Sequence, residues 1–302
     1  MRTMTRRAFI GGIAAAAVTG STRGAGGPPG EPRKGGSRAQ GEPGTPVRKA
    51  PSPFDLGLAS YTFREFGLDD MIGMCRRVGL SRVCLKDVHL PLDSPPGAIR
   101  AVVGKLREAG LIPYGCGVVY MTSEAEVRRA FAYAAEAGME LIVGVPDHGL
   151  LGVAESLVRE TGLKLAIHNH GPGDRLYPTA ASILERVDGL DPRVGVCLDI
   201  GHCQRSGIDP SEAALLCGPR LLDVHLKDVT ASSAEGGPVE AGRGVVDLAR
   251  FLRTLVRLGY RGTASFEFEK DGRDPLPGLA ESVGYVRGLL AAEKIDFDPA
   301  LQ

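Results

Sequence analysis

Residues 163–170 read Leu-Lys-Leu-Ala-Ile-His-Asn-His, an apolar run that closes on two histidines two positions apart. As a β-strand, the run would turn both imidazoles to one face, because side chains alternate along a strand. A lone histidine at such a place is most often a hydrogen-bonded core residue, and a pair can equally be functional, so the stretch has to be read against its neighbours. Seven more short apolar runs of the same kind follow residue 54: DLGLASYT, RVCLKDVH, IPYGCGVV, ELIVGVPD, VGVCLDIGH, LLDVHLKDV and TASFEFE. Their starts recur at intervals of roughly 25 to 40 residues. Amphipathic helical patterns lie between most of them, among them 69–79, 96–110, 123–138 and 247–259, several opened by Ser or Asp and closed by Gly, as helix caps require. Continuous apolar strands alternating with such helices predict a parallel sheet covered on its faces. Eight units in about 240 residues predict a single α/β domain, a closed (β/α)8 TIM barrel. The competing doubly wound sheet more often carries a Gly-rich phosphate turn after its first strand, and SYTFREFG is not one.

In a barrel of this type the carboxyl ends of the strands form the rim that carries the active site. The six histidines fall at or near those ends and none falls in a predicted helix: His89 closes the second run, His148 follows the fourth, His168 and His170 close the fifth, His202 closes the sixth and His225 lies in the seventh. Acidic residues join them in otherwise apolar runs, namely Asp199, Asp228, Glu267 and Glu269. An unpaired charge there costs several kcal/mol, about 3–5 for a broken buried pair, which a metal ion would offset. Nitrogen and carboxylate donors suit Mn, Zn, Mg, Co or Fe without choosing among them. The alternative is a set of separate Asp–His or Glu–Lys pairs at the strand ends.

The rest of the chain bounds the partner. Thirty-six basic residues balance thirty-six acidic ones, so no overall field favours nucleic acid or an anionic membrane surface, and a small molecule fits better. At the N-terminus, Arg6 and Arg7 precede the apolar run FIGGIAAAAV, which is too short to span a bilayer. The pair resembles a twin-arginine export signal and implies a periplasmic or otherwise extracytoplasmic location. We read residues 1–27 as that signal and 28–53 as a disordered linker, since eleven of the forty-two glycines lie in the first fifty-three residues and large apolar side chains are scarce there. The barrel is expected over 54–292 and a tail over 293–302, with no membrane contact beyond the signal and with homo-oligomer formation left open. The six cysteines form no C-x-x-C pair, and Cys84, Cys116 and Cys197 sit in apolar runs. Buried free thiols are therefore expected.

LDIGH followed by HLKD, then by GRGVVDLARFLRTLVRLGYRG and SFEFE, resembles the sugar phosphate isomerase/epimerase family. These are the xylose-isomerase-like barrels that include tagatose epimerases, inosose dehydratases and endonuclease IV. The resemblance implies a divalent ion held by a Glu, an Asp, a His and a second Glu from successive strands. Carried over, the Asp is Asp199, the His is His225 and the second Glu is Glu267. Where the first Glu belongs, this chain has His168, an imidazole that can replace a carboxylate at a divalent ion. A histidine tied to the metal is unavailable as a base, so epimerisation between two glutamates gives way to other proton transfers beside a polarised carbonyl. Isomerisation, dehydration or elimination of a free keto-sugar or cyclitol fits. Glu267, His202 and Lys227 are then the expected catalytic groups, with Lys227 the cation near a developing enediolate oxygen. His170, His89, Lys86, His148 and Glu269 are the expected substrate contacts. Two other functions stay in view: a sugar-binding barrel without catalysis, and an endonuclease IV-like phosphodiesterase, to which the balanced charge and the export signal are poorly suited.

Overall fold

The structure, a computed structural model, describes residues 54–296. The signal and linker expected over 1–53 lie outside the described residues. Among the described residues ten strands form in chain order: β1 (Asp55–Ala59), β2 (Arg82–Leu85), β3 (Ile112–Met121), β4 (Leu141–Pro146), β5 (Lys164–His168), β6 (Val194–Asp199), β7 (Leu221–Leu226), β8 (Asp228–Val229), β9 (Pro238–Val239) and β10 (Thr263–Phe266). Eight of them close a parallel barrel in the order β1-β10-β7-β6-β5-β4-β3-β2, while β8 and β9 pair as a short antiparallel ladder beside it. The molecule is thus the predicted (β/α)8 barrel.

The four predicted helices form at Leu68–Val78, Pro96–Glu108, Glu124–Glu136 and Leu248–Arg257. Their ends follow from local chemistry. Ser123 accepts a hydrogen bond from the Glu126 amide, and the Glu126 side chain returns to the Ser123 amide, a reciprocal cap. Gly79 ends the first of these helices at φ +71°, a conformation that costs glycine little. The last helix, Leu276–Asp296, runs past the expected boundary at 292.

Apart from β3, which runs on to Met121, the strands stop earlier at their carboxyl ends than the apolar runs do. β2 ends at Leu85, and the next residues turn back so that the His89 and Leu90 amides both reach the Lys86 carbonyl. β6 ends at Asp199, which passes straight into a short helix, Ile200–Arg205. His202 therefore lies on a helix, where the sequence placed no histidine. The cause is Asp199 itself, whose Oδ1 accepts from the His202 amide at 2.8 Å and caps that helix. All six cysteines are free thiols and buried.

Candidate metal centre

Register explains how distant residues meet. β6 and β7 pair with Asp199 opposite His225, β5 and β6 pair with His168 opposite Cys197, and β7 and β10 pair with His225 opposite Ser265. Glu267 follows β10 directly, and its amide donates to the Leu226 carbonyl. The inward faces of four staves thus deliver His168, Asp199, His225 and Glu267 to one place, each no more than 5% exposed. One donor atom from each lies within 4.8 Å of the others. His168 Nε2 is 3.2 Å from His225 Nδ1 and 3.6 Å from Asp199 Oδ2, and His225 Nδ1 is 3.3 Å from Glu267 Oε2.

Lys227 binds the carboxylates from the side. Its Nζ is 2.8 Å from Glu267 Oε2, 3.1 Å from Asp199 Oδ2 and 3.0 Å from Glu269 Oε2. Burial opposes ionisation of Asp199 and Glu267, yet the ammonium together with the neighbouring imidazoles outweighs it and holds both carboxyls well below the usual range. For Lys227, burial is likewise outweighed, by Asp199 first and Glu267 next, and the ammonium is kept well above its ordinary value. The backbone makes room for it: a Cβ on Gly201 would stand 2.6 Å from Lys227 Cγ.

The imidazoles divide. Burial pushes His168 down to about 4. His225 rises to about 9, because Glu267 in particular, with Asp223 and Asp199, overcomes the burial that would lower it. Burial also pushes His202 down to about 4 and lowers His170. Satisfaction is incomplete: His168 Nδ1 and His225 Nε2 are buried without a hydrogen-bond partner, and Asp199 Oδ2 has only the charge contact with Lys227. Unpaired buried polar atoms are costly. Two imidazoles and two carboxylates form a donor set that suits a borderline divalent ion, and Asp199 Oδ2, between Lys227 and His168, belongs to it. The quartet therefore fits a metal ion.

A cavity of about 470 Å3 opens above the quartet, lined by Tyr61, Lys86, Val118, Tyr120, His168, His170, His202, Glu267 and Glu269. Its size falls in the range of about 300–1,000 Å3 usual for small-molecule sites. Of the expected contacts, His170, Lys86 and Glu269 line it, as do two of the expected catalytic groups, His202 and Glu267. His170 Nε2 is hydrogen-bonded to the Tyr120 hydroxyl at 2.9 Å with the two rings stacked, and Lys86 Nζ donates to the Val118 carbonyl at 2.8 Å. His89 and His148 do not line it. The turn after β2 carries His89 onto Ser60 Oγ at 2.9 Å, and His148 faces Tyr177 and the Leu176 carbonyl at 3.1 Å. Lys227 is packed behind Glu267 with its side chain 3% exposed, so it supports the carboxylates from outside the cavity wall. Asp228 accepts from the amides of Gly242, Gly244 and Val246 and organises the loop after β9.

Three further residues matter that the sequence did not single out. Val118 and Tyr120 reach the cavity from β3, where the register with β4 shifts between Cys116 and Val119. Such a bulge breaks the two-residue alternation from which facing is read. Asn169 is fully buried and its amide bridges the Asp199 amide (2.9 Å) and carbonyl (3.1 Å), so it fixes the end of β6 to the end of β5.

Residues 51–289 match the family described as xylose isomerase-like TIM barrel, and the chain belongs to that family. Over 155 residues it is 30% identical to the rhizopine catabolism protein MocC of Rhizobium meliloti, covering 45% of this chain and 46% of that one. Over 159 residues it is 28% identical to inosose dehydratase of Geobacillus kaustophilus, covering 47% and 49%. The chain spans about half the length of the curated relatives it matches. D-allulose 3-epimerase from Methylomonas sp. superposes with a TM-score of 0.65 at 16% identity, over 79% of this chain and 99% of that one, a likeness of fold. Among the described residues, no helix is long and apolar enough to cross a membrane.

Proposed function

We propose that this chain is a divalent-metal-dependent enzyme that moves a proton on the carbon beside the carbonyl of a free keto-cyclitol or keto-sugar, with elimination of water as the favoured outcome and isomerisation as the second. The observation that carries this reading is the convergence of His168, Asp199, His225 and Glu267 within 4.8 Å at the floor of a polar cavity. The similarity to a protein named inosose dehydratase supports a cyclitol over an open-chain sugar. The arginine pair near the N-terminus supports export and hence an unphosphorylated substrate.

A divalent ion held by the quartet would supply Lewis acidity at a carbonyl or vicinal-diol oxygen of the substrate. The chain's own groups do the rest. Lys227 keeps Glu267 ionised through Oε2, which leaves Oε1 to accept the proton from carbon. The electron pair released forms the enolate and then, in the elimination, expels the neighbouring hydroxyl. His202 is placed to hydrogen-bond that hydroxyl as it leaves, and the proton taken up by Glu267 completes the water. Arg205 Nη1 lies 3.3 Å from His202 Nδ1, and because a guanidinium only donates, the neutral ring carries its own proton on Nε2. Tyr120, His170, Lys86 and Glu269 supply donors and acceptors along the wall for the remaining hydroxyls.

The test is exchange of substrate carbon-bound hydrogen with deuterated solvent, using 2-keto-myo-inositol and Mn2+. Chelation should abolish exchange, and Glu267→Gln should lower it by about 10²–10⁴-fold while substrate still binds. Exchange that survives chelation, or an undiminished Glu267→Gln variant, overturns the proposal. Binding of the sugar with no exchange under any condition returns the chain to a binding role.

A further inference from the structure

The quartet's two imidazoles also belong to a second donor set. His168, Cys197 and His225 offer one ligand atom each within 4.8 Å of one another, and all three residues are buried. Cys197 is the ladder partner of His168, and it lies on the inward face of β6, two residues before Asp199. Two observations point to this interior, one of unpaired nitrogens and one of position. His168 Nδ1 and His225 Nε2 are buried without hydrogen-bond partners, and His225 Nε2 is 3.8 Å from Asp223 Oδ2, the carboxylate oxygen to which the Cys197 thiol donates at 3.6 Å.

We propose that His168, Cys197 and His225 form a second cation site, a thiolate-containing one inside the barrel, with the chemistry of a thiophilic d10 ion such as Cd2+. Soft sulfur selects such ions, whereas carboxylates favour harder ones. Because the two sets share both imidazoles, they compete: two divalent ions one ring apart repel each other, so an ion drawn to Cys197 weakens the hold of Asp199 and Glu267 on theirs. When the sulfur–metal bond forms, the S–H bond breaks, and Asp223 Oδ2 already accepts from that thiol, so the proton has a place to go. The site thereby explains how this chain would distinguish metals, and it predicts inhibition by thiophilic ions. The proposal shares residues with the catalytic reading above and is tested apart from it.

The experiment uses the full chain, stripped of metal, titrated separately with Cd2+ and Mn2+ and followed by binding calorimetry and by ultraviolet absorbance. Cd2+ should produce a thiolate-to-metal charge-transfer band in the wild type and in the control Cys84→Ser, a buried thiol outside the triad. Cys197→Ser should abolish the band and lower the ratio of Cd2+ to Mn2+ affinity at least tenfold. Cys197→Ala, which leaves no oxygen donor, serves as the second variant if the serine form does not fold. A band that persists without Cys197, or Cd2+ that binds the wild type with no band, overturns the inference. Either result leaves the quartet standing if Mn2+ still binds, and a Cd2+ band with no Mn2+ binding would instead remove the quartet while supporting the thiolate site.

Discussion

Two sets of side chains on the same four strands behave in opposite ways. The outer set is His168, Asp199, His225 and Glu267; the inner set, two residues earlier on each strand and hence facing the same way, is Ala166, Cys197, Asp223 and Ser265. Both are buried. The inner set satisfies itself: the Tyr114 hydroxyl bonds Ser265 Oγ at 2.6 Å and Asp223 Oδ1 at 3.3 Å, and Cys197 donates to Asp223 Oδ2. The outer set lies at the cavity, crowds two carboxylates against two imidazoles, leaves His168 Nδ1 and His225 Nε2 without hydrogen-bond partners, and gives Asp199 Oδ2 only the Lys227 ammonium. A buried polar group that finds its partners within the protein needs no ligand to be stable there. One that does not is set for a ligand.

If that contrast is right, the outer set depends on a cation and the inner one does not. Lys227 is the resident cation, and Lys227→Met should be the most damaging change in the absence of metal. Removing one partner of a buried ion pair costs about 3–5 kcal/mol, and here Asp199 and Glu267 would both lose theirs. Urea unfolding of the metal-free protein measures it, and saturating Mn2+ should restore much of the loss by binding only the folded state. A variant as stable as the wild type without metal would show that the carboxylates are not charged together and would break the contrast.

Acid provides the next effect. Burial holds His168 and His202 at about 4 in the fold against 6.5 ordinarily, so both take up protons on unfolding between those values. Asp223 works in the other sense: burial lifts it to about 7 from 3.8, so it releases a proton on unfolding over the same range. The net uptake of one proton makes the metal-free protein less stable as pH falls from 6.5 toward 4, by roughly 1.4 kcal/mol per pH unit. Above 6.5 the sign reverses, because His225, raised to about 9, stays protonated in the fold and loses its contribution as pH rises toward that value. Stability should therefore peak near pH 6.5, and a denaturation midpoint that is flat between 5 and 6.5 would remove the charge assignment of the outer set.

How much of this could be read from the chain depends on distance from a strand's regular part. The eight staves were legible because both faces of a barrel strand are covered, which leaves continuous apolar runs, and the quartet was legible because charged residues interrupt those runs at their ends. His89 and His148 illustrate the limit. Each stands just past a strand, where a turn takes over, and alternation says nothing about where a turn sends a side chain. β3 shows the same limit from within, since its register shifts between Cys116 and Val119, the stretch that carries Val118 to the cavity with Tyr120 beyond it. Asp223 was visible as an acidic residue in an apolar run, exactly as Asp199 was, but whether such a residue meets partners of the fold or a cavity is decided by residues from distant strands such as Tyr114.

The smallest predicted effect is therefore the most discriminating about the inner set. Tyr114→Phe keeps the ring and its packing and removes the one hydroxyl that joins Ser265 to Asp223. With an internally satisfied network, the loss is that of a buried hydrogen bond whose partners stay behind, about 1–3 kcal/mol, read from thermal or urea unfolding. Mn2+ affinity should move less than threefold, because none of the four donor atoms touches Tyr114. The two measurements must separate for the contrast to hold. If Tyr114→Phe lowers Mn2+ affinity tenfold or more, the inner network is positioning His225 through Asp223, and inner and outer sets are one coupled site rather than a structural floor beneath a ligand site.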